Sequence, residues 1–119
     1  MNEEYIEELN EAKEMRINHL KKCRDYYEKK PVPYNDNLFD FDEKSYQRIT
    51  AAIYVLSNGG TIAWTTADNN VVNVSADDLR GVIAQAAIRS DQLHKKCRIL
   101  KDAVNSAQSV EEVQALNWD

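Results

Sequence analysis

The sequence predicts an α+β fold that is mostly α: a long N-terminal helix, a central helix, a β-hairpin, a long helix and a short C-terminal helix. Three observations predict it. The first 30 residues contain neither Gly nor Pro. The stretch Gly59 to Leu79 (GGTIAWTTADNNVVNVSADDL) reads in succession as a helix stop, a hairpin and a helix start. The residues after it keep a single apolar stripe to about Asn105.

In the first helix, from about Asn2 to Lys29, Ile6, Leu9, Ala12, Arg16, Leu20, Cys23 and Tyr27 recur at spacings of three and four. The stripe is thin for seven turns and Arg16 interrupts it. The helix is therefore expected either to pack on its own domain or to finish burying itself against another chain as a coiled-coil-like arm. Glu3, Glu4, Glu7, Glu8, Glu11 and Glu14 precede the basic run His19 to Arg24, a charge gradient whose carboxylates suit the helix dipole. Lys29, Lys30 and Pro31 stop the helix.

Pro31 to Asn37 (PVPYNDN) reads as a rigid, turn-rich connector, with a weak alternative as a PPII-like ligand. Leu38 to Phe41 can form a short third strand at the edge of the later hairpin. Asp40 or Asp42 caps the central helix, whose buried face is Tyr46, Ile49, Ala52, Ile53 and Leu56. Asn58, Gly59 and Gly60 end it, because glycine takes a left-handed conformation without a Cβ penalty.

Thr61 to Thr66 is a strand with Ile62 and Trp64 on one face, Asp68 to Asn70 a turn, and Val71 to Val74 the return strand. Ser75 with Asp78 starts the long helix as an acidic variant of the capping box. Leu79, Val82, Ile83, Ala86, Leu93, Cys97, Leu100 and Val104 form its stripe. Ser109 with Glu112 repeats the cap before a short helix carrying Val110, Val113 and Leu116 and ending at Trp118. The domain reading is a helical arm over 1–30 and a small α+β domain over 31–119, together one structural unit.

At 119 residues one domain with one modest core is expected. The formal charge of -5 and the lack of an obvious basic face argue against nucleic acid as a partner. The acidic N-terminus has no apolar run, so no signal peptide is read, and no segment is apolar enough for a membrane span. Cys23 and Cys97 fit neither a zinc site nor a CxxC pair. Two reduced thiols in a reducing interior are the simpler reading, with a disulfide between them the alternative.

Chemistry is sparse. HExxH, GxSxG and P-loop patterns are absent. His94 and Cys97, at i and i+3, could be base and nucleophile, but nothing in the sequence supplies an orienting group. Asp40, Asp42, Asp77, Asp78, Glu111 and Glu112 stand where helices start, so capping explains them better than a metal does. Asp68, Asn69 and Asn70 lack the spacing of a calcium loop. No enzyme, cofactor or metal is read. The candidate interaction residues are Leu9, Leu20 and Tyr27 on the first stripe, with Trp64 and Trp118, tryptophan being both a core filler and an interface anchor.

Three segments in order, FDFDEKSYQRITAAI, TIAWTTADNNVVNVSADDL and LHKKCRILKDAVNSAQSVEEVQAL, resemble an uncharacterised domain of phage and prophage tail-region proteins, tail fibres or their assembly. The resemblance runs from Leu38 to Trp118. It implies a non-enzymatic structural or assembly protein acting through protein contacts with tail or fibre components. It further implies a homo-oligomer, located in the bacterial cytoplasm during assembly or in the virion tail. A small regulatory or nucleic-acid-associated protein is the alternative, suggested by the two KKCR clusters and by Arg80, Arg89 and Arg98.

Overall fold

The computed structural model describes residues 2–119. Its elements are α1 (Glu3–Glu28), β1 (Val32–Tyr34), β2 (Asn37–Phe39), α2 (Glu43–Val55), β3 (Thr61–Thr65), β4 (Val71–Ser75), α3 (Ala76–Ser106) and α4 (Val110–Gln114). The fold is α+β and mostly α, in the predicted order. The strands form two separate antiparallel hairpins, β1–β2 and β3–β4.

The first hairpin corrects the expected connector. Val32 pairs with Phe39, Pro33 with Leu38 and Tyr34 with Asn37, around Asn35 and Asp36 at φ 48° and 61°. Two successive positive φ values mark a type I′ turn, which Asn and Asp tolerate and which matches the twist of the flanking strands. Pro33 lacks an N–H, and a two-stranded sheet leaves every strand an edge where that loss is tolerated. Leu38 therefore pairs with the residues before it, and β2 adds no strand to β3–β4. Its carbonyl instead accepts from the Ala67 N–H at 2.8 Å.

The chain forms two compact units, one of residues up to Tyr27 with Asp91–Asp119, the other Glu28–Ser90. α3 supplies residues to both, and its stripe divides accordingly: Leu79, Val82 and Ala86 belong to one core, Cys97 and Val104 to the other.

In the Glu28–Ser90 unit, Phe39 and Val32 from the first hairpin, Ile49 and Ala52 from α2, Val74 from β4 and Leu79 and Val82 from α3 close the core. The β3–β4 register (Ile62 with Val74, Trp64 with Val72) puts the alternating apolar residues on that core. Thr66 is buried in the hairpin loop. Its hydroxyl lies within hydrogen-bonding reach of the Asp68 carboxylate and the Asn70 carbonyl, and it accepts from the Asn70 N–H at 3.1 Å. The Asp68 to Asn70 segment is thus a turn closed on its own polar groups, with Asn69 at φ 63°.

The predicted caps form. The Ser75 hydroxyl accepts from the Asp78 N–H at 3.1 Å while Asp78 accepts from the Ser75 N–H at 2.9 Å. At α2 it is Asp42, of the two candidates, that accepts from the Ser45 N–H at 3.0 Å. Hydrogen bonding to Ser45, aided by the charge of Arg48, holds the Asp42 carboxyl below its usual value. A carboxyl depressed in the folded state stabilises that state above the unfolded-state pKa, and the contribution fades as pH falls through the lower folded value. Asp42→Asn retains a capping acceptor without the charge. We expect its urea midpoint to lie below that of the native chain at neutral pH, and the gap to narrow as the buffer is acidified below the ordinary aspartate range.

The end of α1 is held by a side chain distant in sequence. Arg89 donates from Nη2 to the Glu28 carbonyl at 2.9 Å and from Nη1 to the Pro31 carbonyl at 3.1 Å. A cation at a helix C-terminus meets both the free carbonyls and the negative end of the dipole. Burial lowers the Arg89 pKa and Glu28 opposes that shift; its Nε is buried without a partner.

In the other unit α1 packs its stripe on the second half of α3 and on the C-terminal segment. Leu20, Cys97, Val104, Ala107, Val113 and Trp118 form the core, with Leu9, Ala12, Ile17, Cys23 and Tyr27 against it. Three long side chains fasten α1: Tyr5 to the Gln108 carbonyl at 3.0 Å, Lys13 to the Asn105 carbonyl at 2.9 Å, and Arg16 to the Asn117 side chain at 3.0 Å. Arg16 thus continues the stripe instead of breaking it, with its stem along the packed face and its head on a polar partner. Ser109 caps α4 by accepting from the Glu112 N–H at 3.1 Å, and Glu112 reaches back to the Gln108 N–H.

Candidate interaction surface

The five candidate interaction residues lie against the chain's own cores. Leu20 is fully buried and Trp118 is 6% exposed, both in the core that holds α1; Leu9 and Tyr27 pack on the same core. Trp118 lies with its ring stacked on Tyr27 (centroids 5.9 Å apart, planes 14° from parallel), and Lys96 Nζ stands 4.6 Å from the Trp118 ring centre. Stacking and a cation over the indole each add to area burial. Trp64, in the Glu28–Ser90 unit, is partly buried on that unit's core. Apart from Ile6, which is 44% exposed, the apolar stripe of the first helix is covered by its own chain.

The candidate chemistry resolves in the same way. Cys97 is 1% exposed, so its thiol is sealed inside the core whatever His94 does. Both cysteines are free. Sequence reasoning missed the second imidazole–thiol pair: His19 Nε2 lies 3.5 Å from Cys23 Sγ, one helical turn away. The i, i+4 spacing was the available signal. Of the three arginines on α3, Arg80 pairs with Asp77 at 2.8 Å and Arg89 holds backbone carbonyls, while Arg98 is exposed. Asp42, Asp78 and Glu112 act as caps. Among the described residues no group of three or more metal-binding side chains converges, and no helix is long and apolar enough to cross a membrane.

The surface apolar groups are elsewhere. Tyr54 and Val55, at the end of α2, are 83% and 73% exposed; Met15, in the middle of α1, is 74% exposed. Isolated exposed apolar groups are ordinary, so position matters more than exposure. Met15 stands at a concavity of about 510 Å³ between α1 and α4, floored by Ala12, Val110 and Val113, with Glu8 and Glu11 toward one end and Arg16 and His19 toward the other. Ile99 and Leu100 line a second, of about 400 Å³, with Lys95 and Lys96. Both are open grooves. Neither is an enclosed site for a small molecule, which is usually buried over most of its surface.

Gly81 was also missed. A Cβ there would collide with the Tyr34 ring. Glycine inside a helix costs stability unless something needs the space, and here an aromatic side chain of the first hairpin occupies it.

Residues 11–117 match the family described as Domain of unknown function (DUF4376). The match takes in most of α1, so that helix is part of the family's domain. No curated protein and no solved structure matches the chain.

Proposed function

We propose, from the premise that the chain belongs to the DUF4376 family, that it is a non-enzymatic structural or assembly protein of a phage or prophage tail, acting through protein–protein contacts. The observation that carries the reading is the division of its surface. The Cys97 thiol is buried and Arg80 and Arg89 are engaged by groups of their own chain, whereas the large apolar side chains Met15, Tyr54 and Val55 face outward, Met15 at the edge of an open groove. Exposed apolar groups next to concavities suit macromolecular partners. The tail context rests on the sequence resemblance, which also supports self-association and a place in the host cytoplasm or the virion tail.

The test is binding of the purified chain to tail-fibre and baseplate proteins encoded beside it, followed by light scattering and calorimetry. A defined complex with one of them is the expected result. A chain that binds none of them, encoded away from any tail gene, would remove the proposal. Titration with duplex and single-stranded DNA at two salt concentrations separates the alternative: tight binding that weakens steeply with salt would favour a nucleic-acid role.

A further inference from the structure

We propose that a second copy of this chain docks antiparallel along α1, across a two-fold axis at Met15. The inference gives a face to the self-association proposed above and depends on that element of it alone, independently of any tail component.

The argument begins with charge that the chain leaves unanswered. On α1, Glu4 and Glu8, and Glu7 and Glu11, stand one turn apart, and like charges at that spacing repel. The dipole favours acids only in the first turn, yet Glu11 lies in the third. Among the described residues, Glu8, Glu11 and Lys22 form no ion pair or hydrogen bond with their own side chains. Lys13 and Arg16, the nearest cations on the helix, are turned to Asn105 and Asn117.

Position supplies the rest. Glu8, Glu11, Met15, His19 and Lys22 follow one another at steps of three and four, a seam of mean spacing 3.5 of the kind two helices share. All five are exposed, and the seam runs on toward exposed Tyr26. It is acidic before Met15 and basic after it. An antiparallel copy pairs residues whose numbers are symmetric about 15, so Glu8 meets Lys22 and Glu11 meets His19. A two-fold axis makes each of these contacts twice. A parallel copy would set Glu8 and Glu11 against themselves. At the axis the two Met15 side chains meet over the groove floored by Ala12, Val110 and Val113, and methionine adapts well to an irregular apolar surface.

The experiment is sedimentation equilibrium of the full chain over a concentration series, at low and moderate salt. A monomer–dimer equilibrium that weakens with salt is expected, since exposed pairs are screened. The double variant Glu8→Lys/Glu11→Lys should weaken dimerisation about tenfold or more, and His19→Glu/Lys22→Glu should do the same. Mixing the two should restore a heterodimer, and the fourfold variant should restore the homodimer. Circular dichroism of each variant checks that helix content is kept, as exposed positions allow. A monomer at every concentration overturns the inference, even if the chain binds a tail protein. A dimer indifferent to Glu8→Lys/Glu11→Lys leaves self-association standing and overturns this face. In a parallel pair, reversing one end exchanges one like-charged set for another without weakening, so that result overturns the orientation.

Discussion

Phe39→Ala is expected to destabilise the Glu28–Ser90 unit by about 3–5 kcal/mol, the range for removing a large aromatic side chain from a packed core. Phe39 is 1% exposed and meets the Tyr34 ring edge-on at 6.5 Å between centroids. It joins the first hairpin to α2 and α3 in one core. Domains of this size are stable by only about 5–15 kcal/mol, so such a loss is a large fraction of the whole. Urea unfolding followed by far-ultraviolet circular dichroism measures it. Leu38→Ala is the control: Leu38 lies on the opposite face of β2, is 41% exposed, and its truncation should cost about 0.5 kcal/mol or less. Equal losses at the two positions would mean that β1–β2 does not form as described.

Trp118→Ala should have a comparable effect on the other unit, about 3–5 kcal/mol, although the residue stands next to the C-terminus. Terminal residues are usually tolerant of change unless something ties them down. Here the indole is closed in by Tyr27 and Lys96 and is part of the same core as Leu20 and Val113. Trp118→Phe should recover most of the loss, because it keeps an aromatic ring against Tyr27. Comparison of thermal midpoints for the two variants checks the ordering. If Trp118→Ala melts with the native chain, the C-terminal segment is not docked on α1.

Local signals were legible in the sequence where a residue and its effect lie within one turn. Ser75 with Asp78, Ser109 with Glu112, and the glycines after α2 mark boundaries because caps and left-handed turns are chemistry between neighbours. The faces of β3 and β4 were legible from alternation. The first hairpin was not: Pro31 and Pro33 suggest an extended connector, and the competing signal, Asn35 followed by Asp36, is only a tolerance for positive φ. Interaction residues were harder still. Leu9, Leu20 and Tyr27 form a stripe that needs a cover, but the cover is Cys97, Val104 and Trp118, far along the chain. A helix pattern says which face is buried and carries no information about what buries it. The same limit explains Arg16, whose partner Asn117 gives no sign of itself in the residues around α1, and Gly81, whose space is reserved for a ring 47 positions earlier in the chain.

The turn that follows α2 also bears on how the protein would age. Asn58 followed by Gly59 is a pair at which a backbone nitrogen readily attacks the neighbouring side-chain amide, expelling ammonia to close a succinimide that water reopens to aspartate or isoaspartate. The attacking nitrogen belongs to Gly59, whose N–H is tied to the Leu56 carbonyl at 3.0 Å. Reaction therefore waits on release of that bond, which is opening of the turn just beyond α2. The acid produced would sit at the negative end of the α2 dipole and make the opening easier. Slow conversion of Asn58 on storage would thus be a chemical clock for the opening of the turn after α2, and one that quickens as it runs.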